Sequence, residues 1–286
     1  MEKIYITDLD GTLLNSSGAI SDYSHKTLNK LIADGVNISL ASARNVASIR
    51  QLMTGVSIKL PVIEINGAFV SDLKTGRHLC INSIPRDISE KICELCADNG
   101  CVPFVAAFDG EKDHLFYEAI TNEGMEWFVA DKTEDHGNRL KKSRITPEIL
   151  DMDIVCFVLI GEFGFIGDIN NIITEKFGDR LDSFFFTNPY NLQWQWLTIH
   201  DKNARKSNGV RELLDMKGFK NEQLVVFGDN DNDIAMMELN KSGARSVAVE
   251  NAIEKVKSIA SEVCLSNDND GVVRYIYEDF YGKKDN

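Results

Sequence analysis

Asp8 and Asp10, in the run Asp8-Leu9-Asp10-Gly11-Thr12, place two carboxylates two residues apart at the end of the apolar segment Ile4-Tyr5-Ile6. In extended chain such a pair points to one side, and Gly11 then lets the backbone turn sharply. Like charges this close are costly to bury unless a cation or a reaction uses them. One carboxylate can bind a metal and attack an electrophile while its neighbour carries a proton. A capped turn is the plain alternative, since Asp-Gly is a common turn pair.

Three further groups carry chemistry. In Leu40-Ala41-Ser42-Ala43-Arg44, Ser42 offers a hydroxyl to an anionic oxygen and Arg44 adds charge. The competing reading is an N-cap serine beside a surface arginine. Lys206 opens a helical pattern, where a cation opposes the helix dipole. A bound anion shared with the carboxylates gives it a reason, and a solvated lysine is the alternative. Gly228-Asp229-Asn230-Asp231-Asn232-Asp233 puts three carboxylates at a strand-to-helix junction, more than one N-cap uses. Asp229 is expected to face Asp8, with Asp231 or Asn232 capping the helix and Asp233 in its first turn. A twelve-residue calcium loop does not fit, because Ile234-Ala235-Met236-Met237 continues as helix. Taken together, Asp8 and Asp229 suit a hard, octahedral Mg²⁺. Ser42 and Lys206 supply donors for a phosphoryl group, and a carboxylate nucleophile beside an acid completes a phosphotransferase site.

All four groups fall at ends of predicted core elements, where open parallel sheets hold their ligands. Strands are predicted at 4–7, 37–41 and 61–65, separated by helices at 22–34 and 47–53. That alternation signals βαβ units and a parallel sheet. From about Ala68 the rhythm changes, with a hairpin around Lys74-Thr75-Gly76 and then a mixed α+β block of ordinary domain size. The run Gly161-Glu162-Phe163-Gly164-Phe165-Ile166-Gly167 lacks the spacing of a dinucleotide fingerprint and is expected in a loop. After residues 192–199 the alternation returns, with helices at 207–216, 231–239, 252–260 and 271–280 and strands at 224–227 and 246–249. The economical architecture is an α/β, Rossmann-like parallel-sheet core, 1–83 with 189–286, interrupted by an α+β insert, 84–188.

The 286-residue chain carries 31 Lys+Arg against 44 Asp+Glu, a net charge of −13. That balance argues against a protein that tracks nucleic-acid phosphates. No apolar run approaches the roughly 20 residues of a membrane span, and Met1 leads into a strand without a signal-peptide pattern. A cytoplasmic protein with reduced thiols is expected. Cys93, Cys96 and Cys101 with His114 invite a zinc reading, but no second Cys pair completes four close ligands. The cluster also lies on the helical pattern Ile88, Ile92, Leu95, Cys96, where thiols pack well. Oligomeric state is open.

In this order the four groups resemble the haloacid dehalogenase-like (HAD) superfamily of phosphohydrolases, in particular its Cof-type sugar-phosphate phosphatases. Asp8 to Leu14 matches the opening motif, Ser42 the second, Lys206 the third, and Gly228-Asp229 through Asn232-Asp233 the fourth. Asn66-Gly67, Asn251-Ala252 and Asp270-Gly271-Val272 also have Cof-type counterparts. The resemblance implies a C2B-type cap over the insert and Mg²⁺-dependent hydrolysis of a small phosphorylated metabolite. Asp8 is then the nucleophile, and Asp10 the acid that protonates the leaving group and later activates water. Mg²⁺ is held by Asp8, the Asp10 carbonyl and Asp229, while Ser42 and Lys206 stabilise the phosphoryl oxygens. Gly11, Ala43, Arg44 and Asn232 join the phosphate-binding set, and Asp233 braces the metal shell or Lys206. Ala43 stands where relatives commonly have Gly, and Ser207 follows Lys206 where they often have Gly, so phosphate contacts are expected to be reshaped. The cap is expected to act as a lid, with Asn188, Tyr190, Trp194 and Trp196 either reading the substrate or packing. A phosphomutase shares this nucleophile and cap. A phospho-aspartate signalling module shares the residue types, but such modules are far shorter.

Overall fold

The computed structural model of the chain describes residues 2–134, 139–187 and 193–282. The first elements are β1 (Ile4–Thr7), α1 (Asp22–Ala33), β2 (Asn37–Leu40), α2 (Val46–Leu52), β3 (Val62–Glu64), β4 (Phe69–Ser71) and β5 (His78–Ile81). Next come α3 (Arg86–Asp98), β6 (Phe104–Phe108), β7 (Asp113–Tyr117), α4 (Glu123–Glu134), β8 (Leu140–Lys142), α5 (Pro147–Leu150), β9 (Asp153–Glu162), α6 (Phe163–Phe177), β10 (Leu181–Thr187) and β11 (Trp194–Asp201). The chain closes with α7 (Lys206–Lys217), β12 (Leu224–Gly228), α8 (Ile234–Met237), β13 (Arg245–Val249), α9 (Glu254–Ile259), β14 (Glu262–Cys264) and α10 (Gly271–Tyr281). Two compact units result, Met1–Cys80 with Arg205–Asn286, and Ile81–Ala204.

The first unit is built on a parallel sheet in the order β14-β13-β12-β1-β2. Strands β1 and β12 are central, and every residue of both is buried. Covering on both faces is why they read as continuous apolar runs rather than alternating ones. Helix α1 is started by Ser21, whose side chain accepts the Ser24 N–H, and it buries Leu28, Leu31 and Ile32. Helix α7 buries Val210, Leu213 and Leu214 in the same way. The third strand departs from the expected parallel series. It meets the parallel sheet through a bridge between Ala41 and Ile63 and pairs antiparallel with β4, opening a small sheet β3-β4-β5.

The second unit is a six-stranded sheet in the order β10-β11-β9-β6-β7-β8, antiparallel except for β7 with β8. Its core joins Ile88, Ile92 and Cys96 of α3 and Ile166, Ile169 and Ile173 of α6 to the strands. Strand β11 pairs with β9 and β10, so residues 194–201 go with the insert rather than with the core, and the second crossing falls at 204/205 instead of 188/189. The Gly161–Gly167 stretch is not a loop: it ends β9 and opens the fifteen-residue α6. Trp194 and Trp196 are 8% and 3% exposed, Trp194 lying against Gly124 and Trp196 edge-on to Trp127 at 6.0 Å. Asn188 and Tyr190 lie outside the described residues. His114 Nε2–H donates to Asp109 Oδ2 at 2.6 Å. Among the described residues no helix is long and apolar enough to cross a membrane.

His200 on β11 is 1% exposed, with Nδ1 3.3 Å from the Val155 carbonyl and Nε2 3.6 Å from Cys156 Sγ. Burial pushes its pKa down to about 4. The unfolded chain protonates this ring near pH 6.5, so between those values it binds more protons than the folded one. The contribution is full above pH 6.5 and is lost as pH falls to 4, by on the order of 3 kcal/mol. The second unit is therefore expected to melt earlier at pH 4.5 than at pH 7, and His200→Gln to flatten that slope in a calorimetric pH series.

Candidate active site

The candidate residues collect beyond the carboxyl ends of β12, β1 and β2, three neighbouring strands of the parallel sheet. The chain runs from β1 to one side through β2, and β12 returns on the other, which makes the tip of β1 a topological switch point. Asp8 follows β1 directly in extended conformation, its N–H bonded to the Phe227 carbonyl at 3.1 Å. The backbone then folds into a wide turn over Leu9–Leu13, with Gly11 at φ +78° and Leu9 fully buried as its anchor. A Cβ on Gly11 would lie 2.5 Å from Asp229 Oδ2, so only glycine lets the turn approach that carboxylate.

Asp8, Asp229 and Asp233 bring carboxylate oxygens within 4.8 Å of one another. Lys206, 1% exposed at the start of α7, is aimed into this group. Its Nζ donates to Asp8 Oδ1 at 2.5 Å and to Asp233 Oδ1 at 2.7 Å. Burial alone opposes the lysine charge, but the Asp233 and Asp8 carboxylates outweigh it and hold the ammonium pKa above its usual value. For Asp8 burial dominates the other way. Together with the charges of Asp233 and Asp229 it lifts the carboxyl well above the usual range, and Lys206 offsets only part of this. Asp229 is pushed up to about 6 by burial and by Asp233. These are carboxylates short of positive charge, all oxygen donors around a glycine cradle, and a hard divalent cation such as Mg²⁺ fits that shortage.

The loop after β12 is braced rather than simply capped. Asn230, not Asp231 or Asn232, is the capping residue, and a 3₁₀ turn over Asp231–Asp233 precedes the four-residue α8. Asp233 Oδ2 folds back to accept the N–H groups of Asp229 and Asn230 at 2.9 and 3.1 Å, while its Oδ1 holds Lys206. Asn232 donates to Asn66 Oδ1 at 3.2 Å. Ser42 is fully buried just past β2, and its hydroxyl accepts the Arg44 N–H at 3.1 Å, with exposed Ala43 between them. Arg44 does not join the buried group. Its Nε and Nη2 grip Asp10 through both carboxylate oxygens, at 2.8 and 2.7 Å, near the surface. Carboxylate crowding thus falls on Asp8, while Asp10 stands outside it under the arginine fork.

Further residues shape the site: Thr12, Asn66, Gly67 and Asn251 lie in motifs read from the sequence, whereas Ile65 and Glu64 were not singled out from it. Thr12 donates to Asp229 Oδ1 at 2.8 Å, and Asn251 donates to the Gly11 carbonyl at 2.7 Å. Thr12 carried a signal, since it sits within the acidic run itself. Ile65, Asn66 and Gly67 are successive left-handed residues at φ +48°, +56° and +101°. A Cβ on Gly67 would meet the Arg205 carbonyl at 2.3 Å, so this glycine admits the start of α7. Left-handed backbone at isoleucine costs roughly 1–2 kcal/mol and persists where the surroundings over-determine it. Glu64, at the end of β3, is fully buried and accepts the Val46 N–H that follows the Ser42 loop.

Comparison with known proteins agrees with this geometry. The model of the haloacid dehalogenase-like hydrolase family matches residues 5–276. The chain is 25% identical over 282 residues to the Bacillus subtilis protein 5-amino-6-(5-phospho-D-ribitylamino)uracil phosphatase YitU, covering 96% of both. It superposes on TM0651 from Thermotoga maritima with a TM-score of 0.76 and 27% identity over 97% of each chain. A haloacid dehalogenase-like hydrolase from Bacteroides thetaiotaomicron gives a TM-score of 0.79 at 21% identity, covering 98% of this chain and all of that one. With its acidic group, buried lysine and family match over nearly its whole length, the chain belongs to the haloacid dehalogenase-like hydrolases.

Proposed function

We propose that this phosphatase is Mg²⁺-dependent and hydrolyses small phosphorylated metabolites, sugar phosphates foremost, through an aspartyl-phosphate on Asp8. The observation that carries the reading is the buried Lys206 bridging Asp8 and Asp233 beside Asp229. Ordinary packing gives no reason to bury one cation among three carboxylates. The YitU relative, by its name, acts on a compound with a phosphate on a ribityl chain, which is the chemical class proposed here.

An Asp8 oxygen bonds to phosphorus in line as the phosphorus–oxygen ester bond breaks, and Asp10 delivers a proton to the departing alkoxide. Water then attacks the aspartyl-phosphate, Asp10 takes its proton, and Asp8 is released with inorganic phosphate. Ser42 and Lys206 donate to the phosphoryl oxygens as charge shifts onto them. Asp233, with both oxygens engaged, holds Lys206 and the Asp229 backbone in place. Asp8, the Asp10 carbonyl and Asp229 would hold a Mg²⁺ ion, which would supply neutralisation of the phosphoryl charge.

The test is phosphate release from a panel of phosphorylated metabolites. Turnover is expected with millimolar Mg²⁺, to vanish in EDTA, and to return on Mg²⁺ addition. The cation is also expected to raise the melting temperature, since it binds the folded carboxylate group alone. Undiminished turnover in EDTA rules out the metal reading.

A further inference from the structure

Glu64 is a fully buried carboxylate that the reaction does not use. It ends β3, and each oxygen has a defined donor: Ser71 Oγ–H on β4 reaches Oε1, and the Val46 N–H at the start of α2 reaches Oε2. His78 on β5 approaches from behind, its Nδ1 2.7 Å from Ser71 Oγ and 3.2 Å from Glu64 Oε1, with its ring stacked on Phe69 at 3.8 Å. Because the serine proton goes to Glu64, Nδ1 is the donating nitrogen of the imidazole. Three strands of the small sheet thus contribute to one buried chain of hydrogen bonds that ends on a single backbone N–H.

That N–H belongs to the segment that carries Ser42 and Arg44. Between residues 42 and 46 the segment is fastened to the end of β3 by four bonds. Ser42 N–H donates to the Ile63 carbonyl at 2.9 Å, and Asn66 N–H to the Ser42 carbonyl at 2.9 Å. Ile65 N–H donates to the Arg44 carbonyl at 3.0 Å, and the fourth bond is Val46 to Glu64. Three are backbone to backbone. The fourth alone depends on a side chain. Two residues before Val46, Arg44 projects its fork onto Asp10 and also donates to Ser48 Oγ at 3.2 Å.

We propose that Glu64 is a positioning residue: by pinning Val46 from β3 it sets the 42–46 segment, and through Arg44 it holds Asp10 where the leaving group needs its proton. The inference rests on the proton-transfer role given to Asp10 above. Loss of the peg lets Arg44 and Asp10 drift, and displacements of about an ångström at a reacting group cost on the order of 10²-fold. The penalty falls on esters that need a proton to leave, not on activated ones.

Glu64→Leu, Glu64→Asp and Glu64→Gln are compared by amide hydrogen exchange and by kcat on an alkyl and a nitrophenyl phosphate. In Glu64→Leu the Val46 amide is expected to exchange about tenfold faster, and the alkyl-to-aryl kcat ratio to fall about tenfold. Glu64→Asp, which keeps the charge but withdraws it by one methylene, shifts both the same way to a smaller extent and serves if the leucine variant does not fold. Glu64→Gln can still accept from Val46 while its NH₂ donates to Ser71 Oγ, Ser71 turns its proton toward His78 Nδ1 and the imidazole proton moves to Nε2, so it stays within about twofold of wild type. Arg44→Ala lowers the ratio by itself, and adding Glu64→Leu to it lowers the ratio no further. Unchanged exchange at Val46, or equal losses on both esters, overturns the proposal. A wild-type protein inactive on both esters refutes the phosphatase mechanism, while the exchange result still decides whether Glu64 sets the segment.

Discussion

Asp8→Asn is expected to lower turnover by at least roughly 10⁴-fold while the protein stays folded. Asparagine keeps the shape and can still accept from Lys206, but its amide does not displace an alkoxide from phosphorus. The stability arm distinguishes this from simple damage. Burial, with Asp233 and Asp229, raises the folded-state pKa of Asp8 above its unfolded value. Its contribution in metal-free protein is therefore most favourable below the unfolded carboxylate pKa and is lost as pH rises toward the folded one. At pH 7.5 in EDTA the asparagine variant should melt at or above the wild-type temperature, and Mg²⁺ should raise it less. Retained turnover removes Asp8 from the nucleophile role, and a lower metal-free melting temperature contradicts the electrostatic account.

Lys206→Met carries the other large effect, on stability as well as rate. Methionine fills the volume but leaves Asp8 and Asp233 without their shared donor. Removing one partner of a buried ion pair costs about 3–5 kcal/mol, because the remaining charge stays buried and unpaired. Here the residual group is two carboxylates beside a third, so metal-free protein bears the full penalty. A divalent cation supplies positive charge in the same place. The Mg²⁺-induced rise in melting temperature is thus expected to be larger in this variant than in wild type, though turnover remains lost with the phosphoryl donor. Differential scanning calorimetry with and without Mg²⁺ gives both numbers, and equal rises in the two proteins refute the shared-charge argument.

Much of the catalytic unit was legible because its strands are buried on both faces and announce themselves as apolar runs ending in polar residues. Asp8, Ser42, Lys206, Asp229 and Asp233 all follow such runs or open a helix, and the fold brings Asp8, Lys206, Asp229 and Asp233 into contact across long stretches of chain. What failed has identifiable causes. Strand β14 is an edge with Val263 55% exposed, so three residues gave no hydrophobic pattern. Helix α6 was obscured by Gly164 and Gly167, yet a Cβ at either meets nothing within 4 Å, so these glycines cost propensity without breaking the helix. The spacing of Ile166, Ile169 and Ile173 was the better signal. The Arg44–Asp10 fork and the Glu64 peg join residues from different elements, and composition and periodicity do not encode such pairs. The left-handed turn at Ile65–Asn66 is likewise set by its neighbours, since isoleucine on its own disfavours that backbone.

Strand β1 pairs with β2 within the first forty residues, but its other edge waits for β12, whose register matches Ile4 to Leu224, 220 positions later (224 − 4). During synthesis the ribosome must therefore deliver the whole insert before the central strand gains its second neighbour. Closing so distant a contact slows assembly, and an apolar strand left half-paired meanwhile is a natural client for chaperones. A nascent chain also holds Asp8 with neither Lys206 nor Asp229 opposite it. On the mechanism proposed above, turnover of phosphate esters is withheld until translation has passed β12.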